Sequence, residues 1–442
     1  MIAKPGTIAL RGRLLWFVED PSLASRERAT RYIEDGVLLA VDGIIREAGE
    51  ASALLGQIPA GVDLTDHRPN LLCPGFIDPH LHFPQTQVIA SYGAQLLDWL
   101  NKFTFVEEQK YRDEAHAARQ AAFFLDELVA NGTTTAVVFC SVHPQSAEAF
   151  FAESERRNMR MIAGKVMMDR NAPDALRDTA ETGYAESKAL IAKWHGRGRQ
   201  LYAVAPRFAI TSTPAQLEAS GALLAEHPGC YLETHLSENP REIETVKRLF
   251  PEATDYLDVY ERHGLLGPKS LFGHCIHLSE REWGSLSKTR SIAVSCPTSN
   301  LFLGSGLFDL QSARRPDRPV RVGVATDIGG GTSYSMLRTL SEAYKVSQLK
   351  GYSIDPYLAF YMMTLANAQA LSLDHLIGSF EPGREADIVV LDARATPAMA
   401  HRMEAARELA DELFVLIVMG DERAVSATYV MGREAKPPPK RA

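Results

Sequence analysis

The feature that most constrains the fold is an alternation of short β-branched runs with longer stretches rich in Ala, Glu, Leu and Arg. A strand followed by a helix, repeated along a chain, is typical of a parallel sheet. Eight strand candidates favour a closed (β/α)8 barrel of the TIM type, with an open doubly wound sheet as the alternative. The candidates are residues 71–82, 133–141, 159–168, 201–211, 230–235, 270–274, 292–295 and 320–327.

Both ends of the chain carry a different pattern, in which short apolar runs are broken by Gly and Asp. The pattern of residues 6–72 predicts hairpins of a small sheet, and residues 381–392 predict a turn followed by a strand. Two further strands are predicted at residues 413–419 and 427–432. The α/β chain is therefore expected to have a small β-sandwich domain built from both ends. The predicted domains are residues 1–72 (sandwich, first part), 73–373 (barrel) and 374–442 (sandwich, second part, with a C-terminal tail).

Composition excludes several classes of function. The 442 residues include 47 Lys and Arg against 55 Asp and Glu, so no excess of positive charge is available to neutralise a nucleic-acid backbone. The longest apolar run, residues 413–419, is far shorter than the roughly 18 residues of a membrane span. The five cysteines form no C-x-x-C pair, which favours a reducing compartment. We expect a cytoplasmic protein that binds neither nucleic acid nor a membrane.

Two histidines end the first strand candidate, where barrel enzymes place their active sites. His80 and His82 are two residues apart, and because strand side chains alternate, both imidazoles face the same side. Imidazole is a preferred zinc ligand. A His-x-His pair alone has little meaning, so the interpretation depends on ligand-type residues at other strand ends.

Three further strand ends carry such residues. His235 ends the fifth candidate and is followed closely by Glu238. His274 ends the sixth candidate and Asp327 ends the eighth. Each residue alone has an ordinary structural explanation, as a hydrogen-bonded histidine or an aspartate that caps a loop. Since the carboxyl ends of barrel strands meet at one face, their joint occurrence predicts a metal centre there.

Several segments match, in chain order, the motifs of one enzyme superfamily. Residues 74–85 are Pro-Gly-Phe-Ile-Asp-Pro-His-Leu-His-Phe-Pro-Gln, and Thr-His-Leu-Ser-Glu, His-Cys-Ile-His-Leu, Cys-Pro-Thr-Ser-Asn and Ala-Thr-Asp-Ile-Gly-Gly follow. On these motifs the chain resembles the amidohydrolase superfamily over nearly its whole length. Residues 83–85, residues 96–100 and Arg207-Phe208 are similar to the guanine deaminase family within it.

The resemblance implies a metal-dependent enzyme of purine metabolism that hydrolyses guanine to xanthine and ammonia. Hydroxide formed from water on the metal would attack C2, with Glu238 as the proton shuttle. One Zn²⁺ per subunit is implied, with Fe²⁺ as an alternative ion. The implied metal ligands are His80, His82, His235 and Asp327. The implied catalytic residues are Glu238, His274 and Asp327. The implied substrate-binding residues are Gln85, Trp99, Arg207, Phe208, His235, Glu238 and Asp327.

Several alternatives stay open at this point. The same fold and metal could serve another amino- or chloro-substituted ring, such as an adenosine-like compound, a pterin or a triazine. A barrel that only binds a ligand is a second alternative, although all the ligand-type residues are present. The fourth strand candidate, residues 201–211, has no lysine to bridge two ions, which favours one metal. For Trp99, the alternative to substrate binding is ordinary packing in the hydrophobic core. Relatives in the family imply a homodimer.

Overall fold

The computed structural model describes residues 6–92 and 95–436, and these residues form two β-sheets surrounded by helices. Of the predicted tail, residues 436–442, Lys436 ends the last strand and the other residues lie outside the described part of the chain. The strands are β1 (Ile8–Phe17), β2 (Thr30–Val41), β3 (Ile44–Glu50), β4 (Leu64–Pro74), β5 (Phe76–His82), β6 (Thr133–Phe139), β7 (Arg160–Gly164), β8 (Val166–Met167), β9 (Leu201–Pro206), β10 (Tyr231–Leu236), β11 (Ser270–His274), β12 (Ile292–Ser295), β13 (Arg321–Val324), β14 (Ile388–Leu391), β15 (Val425–Val430) and β16 (Arg433–Lys436).

The α-helices follow the same order along the chain. They are α1 (Arg26–Ala29), α2 (Ala51–Leu54), α3 (Leu96–Trp99), α4 (Phe105–Glu108), α5 (Glu114–Ala130), α6 (Pro144–Arg156), α7 (Ala180–Trp194), α8 (Pro214–Glu226), α9 (Pro240–Leu249), α10 (Tyr256–Arg262), α11 (Glu280–Thr289), α12 (Pro297–Phe302), α13 (Leu310–Ala313), α14 (Met336–Leu349), α15 (Pro356–Tyr361), α16 (Asn367–Ala370), α17 (Pro397–Met403) and α18 (Leu409–Met419). A π-helical turn, Leu100–Thr104, connects α3 with α4.

The larger sheet is the predicted barrel. Its strands are hydrogen-bonded in the order β13-β12-β11-β10-β9-β7-β6-β5, with β8 also paired to β9, and the pairs are parallel. The first and last strands approach each other, because Asp327 N donates to His80 O at 3.0 Å and Thr326 N donates to Asp78 Oδ1 at 3.1 Å. This nearly closed sheet confirms the barrel and excludes the open doubly wound alternative.

Every predicted barrel strand is present, but the first is divided between the two sheets, and the third, residues 159–168, is divided into β7 and β8. Residues 71–82 were expected as one strand, whereas β4 belongs to the smaller sheet and β5 to the barrel. The two strands separate at Gly75, whose N–H donates to Asp387 O at 2.9 Å. A Cβ at Gly75 would lie 2.2 Å from Thr134 Oγ1, so a side chain would block the close approach of the chain to β6.

The smaller sheet combines both ends of the chain, as predicted. It has seven strands in the order β16-β15-β14-β4-β1-β2-β3. Strands β1 and β4 are parallel, whereas the other pairs, including β14 with β4, are antiparallel. The expected sandwich domain is therefore a single mixed sheet in the described residues, with helices packed beside it. The exact domain boundaries at residues 72 and 373 stay a prediction.

The strand prediction for residues 413–419 is wrong, because these residues form the end of helix α18. Leu413, Leu416 and Ile417 are buried while Val418 is 46% exposed, which is the one-sided burial of a helix. A capping box between Glu408 and Asp411 begins the helix. Short apolar runs do not distinguish strand from helix, and the polar cap at Glu408, five residues before Leu413, was the available signal. None of the helices formed by the described residues has the length and apolar character of a membrane span.

Candidate metal and substrate site

The carboxyl ends of three barrel strands bring the predicted metal ligands together. His80 and His82 lie on β5, His235 on β10, and Asp327 three residues after β13. All four side chains are almost completely buried. The strand alternation places both β5 histidines toward the same centre, as predicted. Below them, apolar side chains from the barrel strands fill the interior, among them Ile77, Val137, Ile162, Ala203, Tyr231 and Leu271.

Ligand atoms of these residues converge within a few ångströms. His82 Nε2 lies 3.2 Å from His235 Nε2 and 3.4 Å from Asp327 Oδ1. His80 Nε2 lies 3.5 Å from the same carboxylate oxygen. Both nitrogens of His80 and the Nδ1 of His82 are buried and have no hydrogen-bond partner among the described residues. Buried polar atoms without partners are costly, so the donor set fits a bound cation.

Protonation states in this cluster also fit a cation. Burial lowers the pKa of His80 and of His235 well below the ordinary value, and it also lowers the pKa of His82. The imidazoles are therefore neutral at neutral pH. Burial alone would raise the pKa of Asp327, but the hydrogen bond from His82 and the nearby His274 and His80 lower it overall. Neutral imidazoles and an ionised carboxylate are the forms that bind a metal.

The main chain of Arg207 orients one of these histidines. His235 Nδ1 lies 2.7 Å from Arg207 O, and because a carbonyl only accepts, Nδ1 carries the hydrogen. The lone pair of His235 is thereby left on Nε2, which faces the cluster. Such an outer hydrogen bond fixes the tautomer and the ring orientation of a metal-binding histidine.

A second group of polar side chains lies beside the cluster. Glu238, two residues after β10, has Oε2 3.3 Å from His274 Nε2. Ser305 Oγ donates to Glu238 Oε1 at 2.7 Å, and His274 Nδ1 donates to Asn300 Oδ1 at 2.9 Å. His274 Nε2 is also 3.8 Å from Asp327 Oδ2. This group thus places the Glu238 carboxyl, bonded to Ser305, and the His274 imidazole, bonded to Asn300, at the edge of the cluster.

The pKa values of Glu238 and His274 are both raised from their ordinary values. Burial raises the pKa of Glu238, because the ionised form loses its hydration. Burial alone would lower the pKa of His274, but the neighbouring Glu238 and Asp327 raise it overall. His274 and Asp327 also adopt positive φ values of 71° and 54°. Such conformations are uncommon for non-glycine residues and cluster at functional sites.

A cavity opens onto this cluster and contains the predicted substrate residues. It has about 390 Å³ of empty space, part of it open to solvent. Its lining residues include Gln85, Trp99, Arg207 and Phe208, together with apolar side chains of Leu96, Leu100 and Leu303. Phe208 lies edge-on to His235, with ring centroids 6.3 Å apart. Trp99 is 2% exposed and donates Nε1 to Ser91 O at 3.0 Å, so it belongs to the core and to the cavity wall.

Comparison with known proteins identifies the family. Residues 71–435 match the sequence profile of the Amidohydrolase family. The chain belongs to this amidohydrolase family. The guanine deaminase of Escherichia coli (strain K12) is 52% identical to this amidohydrolase over 405 residues, which cover 92% of each chain.

Solved structures of two guanine deaminases resemble this amidohydrolase over almost its whole length. The crystal structure from Bradyrhizobium japonicum has a TM-score of 0.94 and 40% identity, and covers 98% of this chain and 100% of its own. The crystal structure from C. acetobutylicum, with bound guanine in the active site, has a TM-score of 0.86 and 26% identity. That alignment covers 97% of this chain and 100% of the C. acetobutylicum chain.

Three buried residues of the amidohydrolase site escape prediction from the sequence. Glu108, at the end of α4, forms hydrogen bonds with both Gln85 and Arg207. Asn300 and Ser305 lie behind His274 and Glu238. The position of Asn300 shortly after β12, at another strand end, was an available signal. Lys165, on the third strand candidate and directly after β7, forms ion pairs with Asp178 and Glu186.

Proposed function

We propose that this amidohydrolase is a metal-dependent guanine deaminase that hydrolyses guanine to xanthine and ammonia. The observation that carries the proposal is the donor-bearing wall of Gln85 and Arg207 in the same cavity as His82, His235 and Asp327. The 52% identity with the E. coli guanine deaminase and the fold shared with a guanine-bound structure support the same substrate. In the reaction, the oxygen of water is added at C2 and the C2 amino group leaves as ammonia.

We propose that His80, His82, His235 and Asp327 hold one Zn²⁺. Histidine nitrogens and a carboxylate oxygen are the donor types that catalytic zinc sites use. When bound, zinc polarises water and lowers its pKa from 15.7 to about 7, which makes a nucleophile at neutral pH. Fe²⁺ also suits imidazole and carboxylate donors. Elemental analysis of the purified protein decides between the two ions.

Proton transfer is assigned to Glu238 and Asp327. Because its pKa is raised, Glu238 can hold a proton and deliver it to N3 of the purine as water's oxygen attacks C2. Asp327, with a lowered pKa, stays ionised and accepts the proton of the water. His274, fixed at Nδ1 by Asn300, presents Nε2 to the attacking oxygen and stabilises its developing charge. Two carboxyl groups thus have opposite roles because their surroundings differ.

The cavity supplies the remaining contacts with the purine. Gln85 and Arg207 donate to the oxygen and nitrogen acceptors of the ring edge. Phe208 and Trp99 pack against the ring faces, together with Leu96 and Leu100. Buried donors that lose their partner are costly, so this wall favours a ring with acceptors at matching positions.

The direct test is ammonia release and the ultraviolet change of guanine in the presence of purified, zinc-loaded protein. We expect stoichiometric ammonia and xanthine. The nearest alternative is hydrolysis of another ring by the same machinery, so adenosine, a pterin amine and a chlorotriazine form the comparison panel. Turnover of one of these with none for guanine would replace the proposed substrate. A homodimer and a cytoplasmic location stay predictions.

A further inference from the structure

Glu108 lies directly behind the polar wall of the cavity. It is the last residue of α4 and is 1% exposed. Arg207 Nη1 donates to Glu108 Oε1 at 2.9 Å and to Oε2 at 2.7 Å, and Gln85 Nε2 donates to Oε1 at 3.0 Å. A single carboxylate thus contacts both side chains that we assign to the purine edge.

Glu108 fixes the orientation of the Gln85 amide. Gln85 Oε1 accepts from Gly329 N at 3.2 Å, while Nε2 donates to the carboxylate. A backbone N–H only donates and a carboxylate only accepts. Rotating the amide by half a turn would therefore lose both hydrogen bonds, and Gln85 keeps its nitrogen on the side of Glu108.

The same carboxylate fixes Arg207. Its guanidinium also lies over the Phe105 ring, 5.4 Å from the centroid. Among the described residues, Nη1 is the nitrogen of this guanidinium that donates to protein atoms. The N–H groups on Nε and Nη2 donate to no side chain of the described residues, and Arg207 lines the cavity. With the Gln85 amide held in this orientation, Gln85 and Arg207 together offer N–H donors to a bound ring.

We propose that Glu108 is a positioning residue that keeps this wall donor-only and thereby selects purines with an oxo group at C6 over purines with an amino group there. A C6 carbonyl oxygen accepts from such a wall, whereas a C6 amino group would place its own N–H against the donors. Rejection by mismatched buried hydrogen bonds is much stronger than rejection by shape. This inference rests on the proposed function and specifies how its site recognises the substrate.

The test compares guanine with 2,6-diaminopurine, which carries the same C2 amino group but an amino group at C6. Glu108→Gln keeps the size of the side chain and adds a donor, so that Gln85 can rotate and Arg207 loses its ion-pair partner. We expect kcat/KM for guanine to fall roughly 10- to 100-fold, mainly through KM. We also expect the guanine to 2,6-diaminopurine ratio of kcat/KM to fall about tenfold or more, with zinc content unchanged.

The matched control is Glu107→Gln. Glu107 is adjacent, 8% exposed and paired with Lys110, whereas the hydrogen bonds of Gln85 and Arg207 go to Glu108. Its substitution should leave the ratio for the two purines unchanged. Glu108→Asp, which keeps the charge with a shorter reach, should retain more selectivity than Glu108→Gln and serves as the second variant if the first folds poorly.

A double-mutant cycle with Arg207→Met separates positioning from general stability. If Glu108 acts through Arg207, adding Glu108→Gln to Arg207→Met should cost much less than it costs alone. Fully additive effects, or an unchanged purine ratio in Glu108→Gln, would overturn the role of Glu108. Absence of guanine turnover by the wild-type chain would instead refute the proposed function.

Discussion

Two buried ionisable clusters lie in this molecule, and they differ in how their polar atoms are paired. The mouth cluster consists of His80, His82, His235, His274 and Asp327 at the carboxyl ends of the strands. The base cluster joins the barrel to the smaller sheet; its members are Arg160, Arg199, Glu385 and Asp387. Both clusters are less than one-tenth exposed. Burial alone therefore does not distinguish a functional site from a structural one.

Pairing distinguishes the two clusters. In the base cluster, Arg160 and Arg199 donate to both oxygens of Glu385, and Arg199 and the Met431 N–H donate to Asp387. One nitrogen of the base cluster, Arg199 Nε, is buried without a hydrogen-bond partner among the described residues, whereas the mouth cluster has three such atoms, all on the imidazoles of His80 and His82. Carboxylates that are fully paired stabilise a junction, whereas converging atoms without partners leave room for a ligand.

The pKa values of the buried glutamates also differ between the two clusters. Burial would raise the pKa of Glu385, but Arg199 and Arg160 lower it overall. Among the residues that the structure describes, no Arg or Lys side chain pairs with the oxygens of Glu238 beside the mouth cluster, and burial raises its pKa. A buried glutamate can thus be a fixed anion or a proton donor, depending on its neighbours.

The largest expected effect concerns the mouth cluster. His82→Ala removes one of the imidazoles that we assign to the metal, so bound zinc should fall well below one per chain and guanine turnover should be lost. His67→Ala is the control, since His67 bonds Tyr429 in the smaller sheet and should leave the zinc content unchanged. Full zinc occupancy of His82→Ala, measured by elemental analysis, would remove His82 from the ligand set.

The next effect separates metal binding from proton transfer. Glu238→Gln keeps the hydrogen-bonding shape beside Ser305 and His274 but cannot shuttle a proton. We expect kcat for guanine to fall roughly 10²- to 10⁴-fold, with normal zinc content and near-normal stability. Near wild-type turnover in this variant would exclude Glu238 from the mechanism.

The two clusters also differ in how far the sequence predicts them. His80, His82, His235, His274 and Asp327 stand at strand ends, and the (β/α)8 rhythm alone brings strand ends together. Glu108 carries no such signal, because it lies on a four-residue helix outside this rhythm and contacts Arg207, 99 residues away. The sequence does not predict the base cluster either, because its glutamate and arginines meet only when the smaller sheet packs on the barrel.

The structural counterpart of Glu238→Gln is Glu385→Gln in the base cluster. It leaves Arg160 and Arg199 buried with an incomplete set of acceptors, and breaking a buried ion pair costs about 3–5 kcal/mol. We expect the free energy of unfolding from urea titration to fall by this amount, while kcat per folded molecule and zinc content stay unchanged. Loss of turnover without loss of stability would place this cluster in the catalytic machinery instead.

The smallest expected effect is the pH dependence of the stability that Glu385→Gln loses, and it tests the difference between the two clusters most directly. Because the pKa of folded Glu385 lies below its ordinary value of 4.5, its contribution to stability is complete above that value and disappears as pH falls through the folded pKa. The difference in unfolding free energy between wild type and Glu385→Gln should therefore be constant from about pH 8 to about pH 5 and shrink below about pH 4, by at most about 1.4 kcal/mol per pH unit. Taking the difference removes the titration of other groups that both proteins share. A difference that grows as the solution becomes more acidic would mean that burial, and not the two arginines, determines the protonation of Glu385, as it does for Glu238.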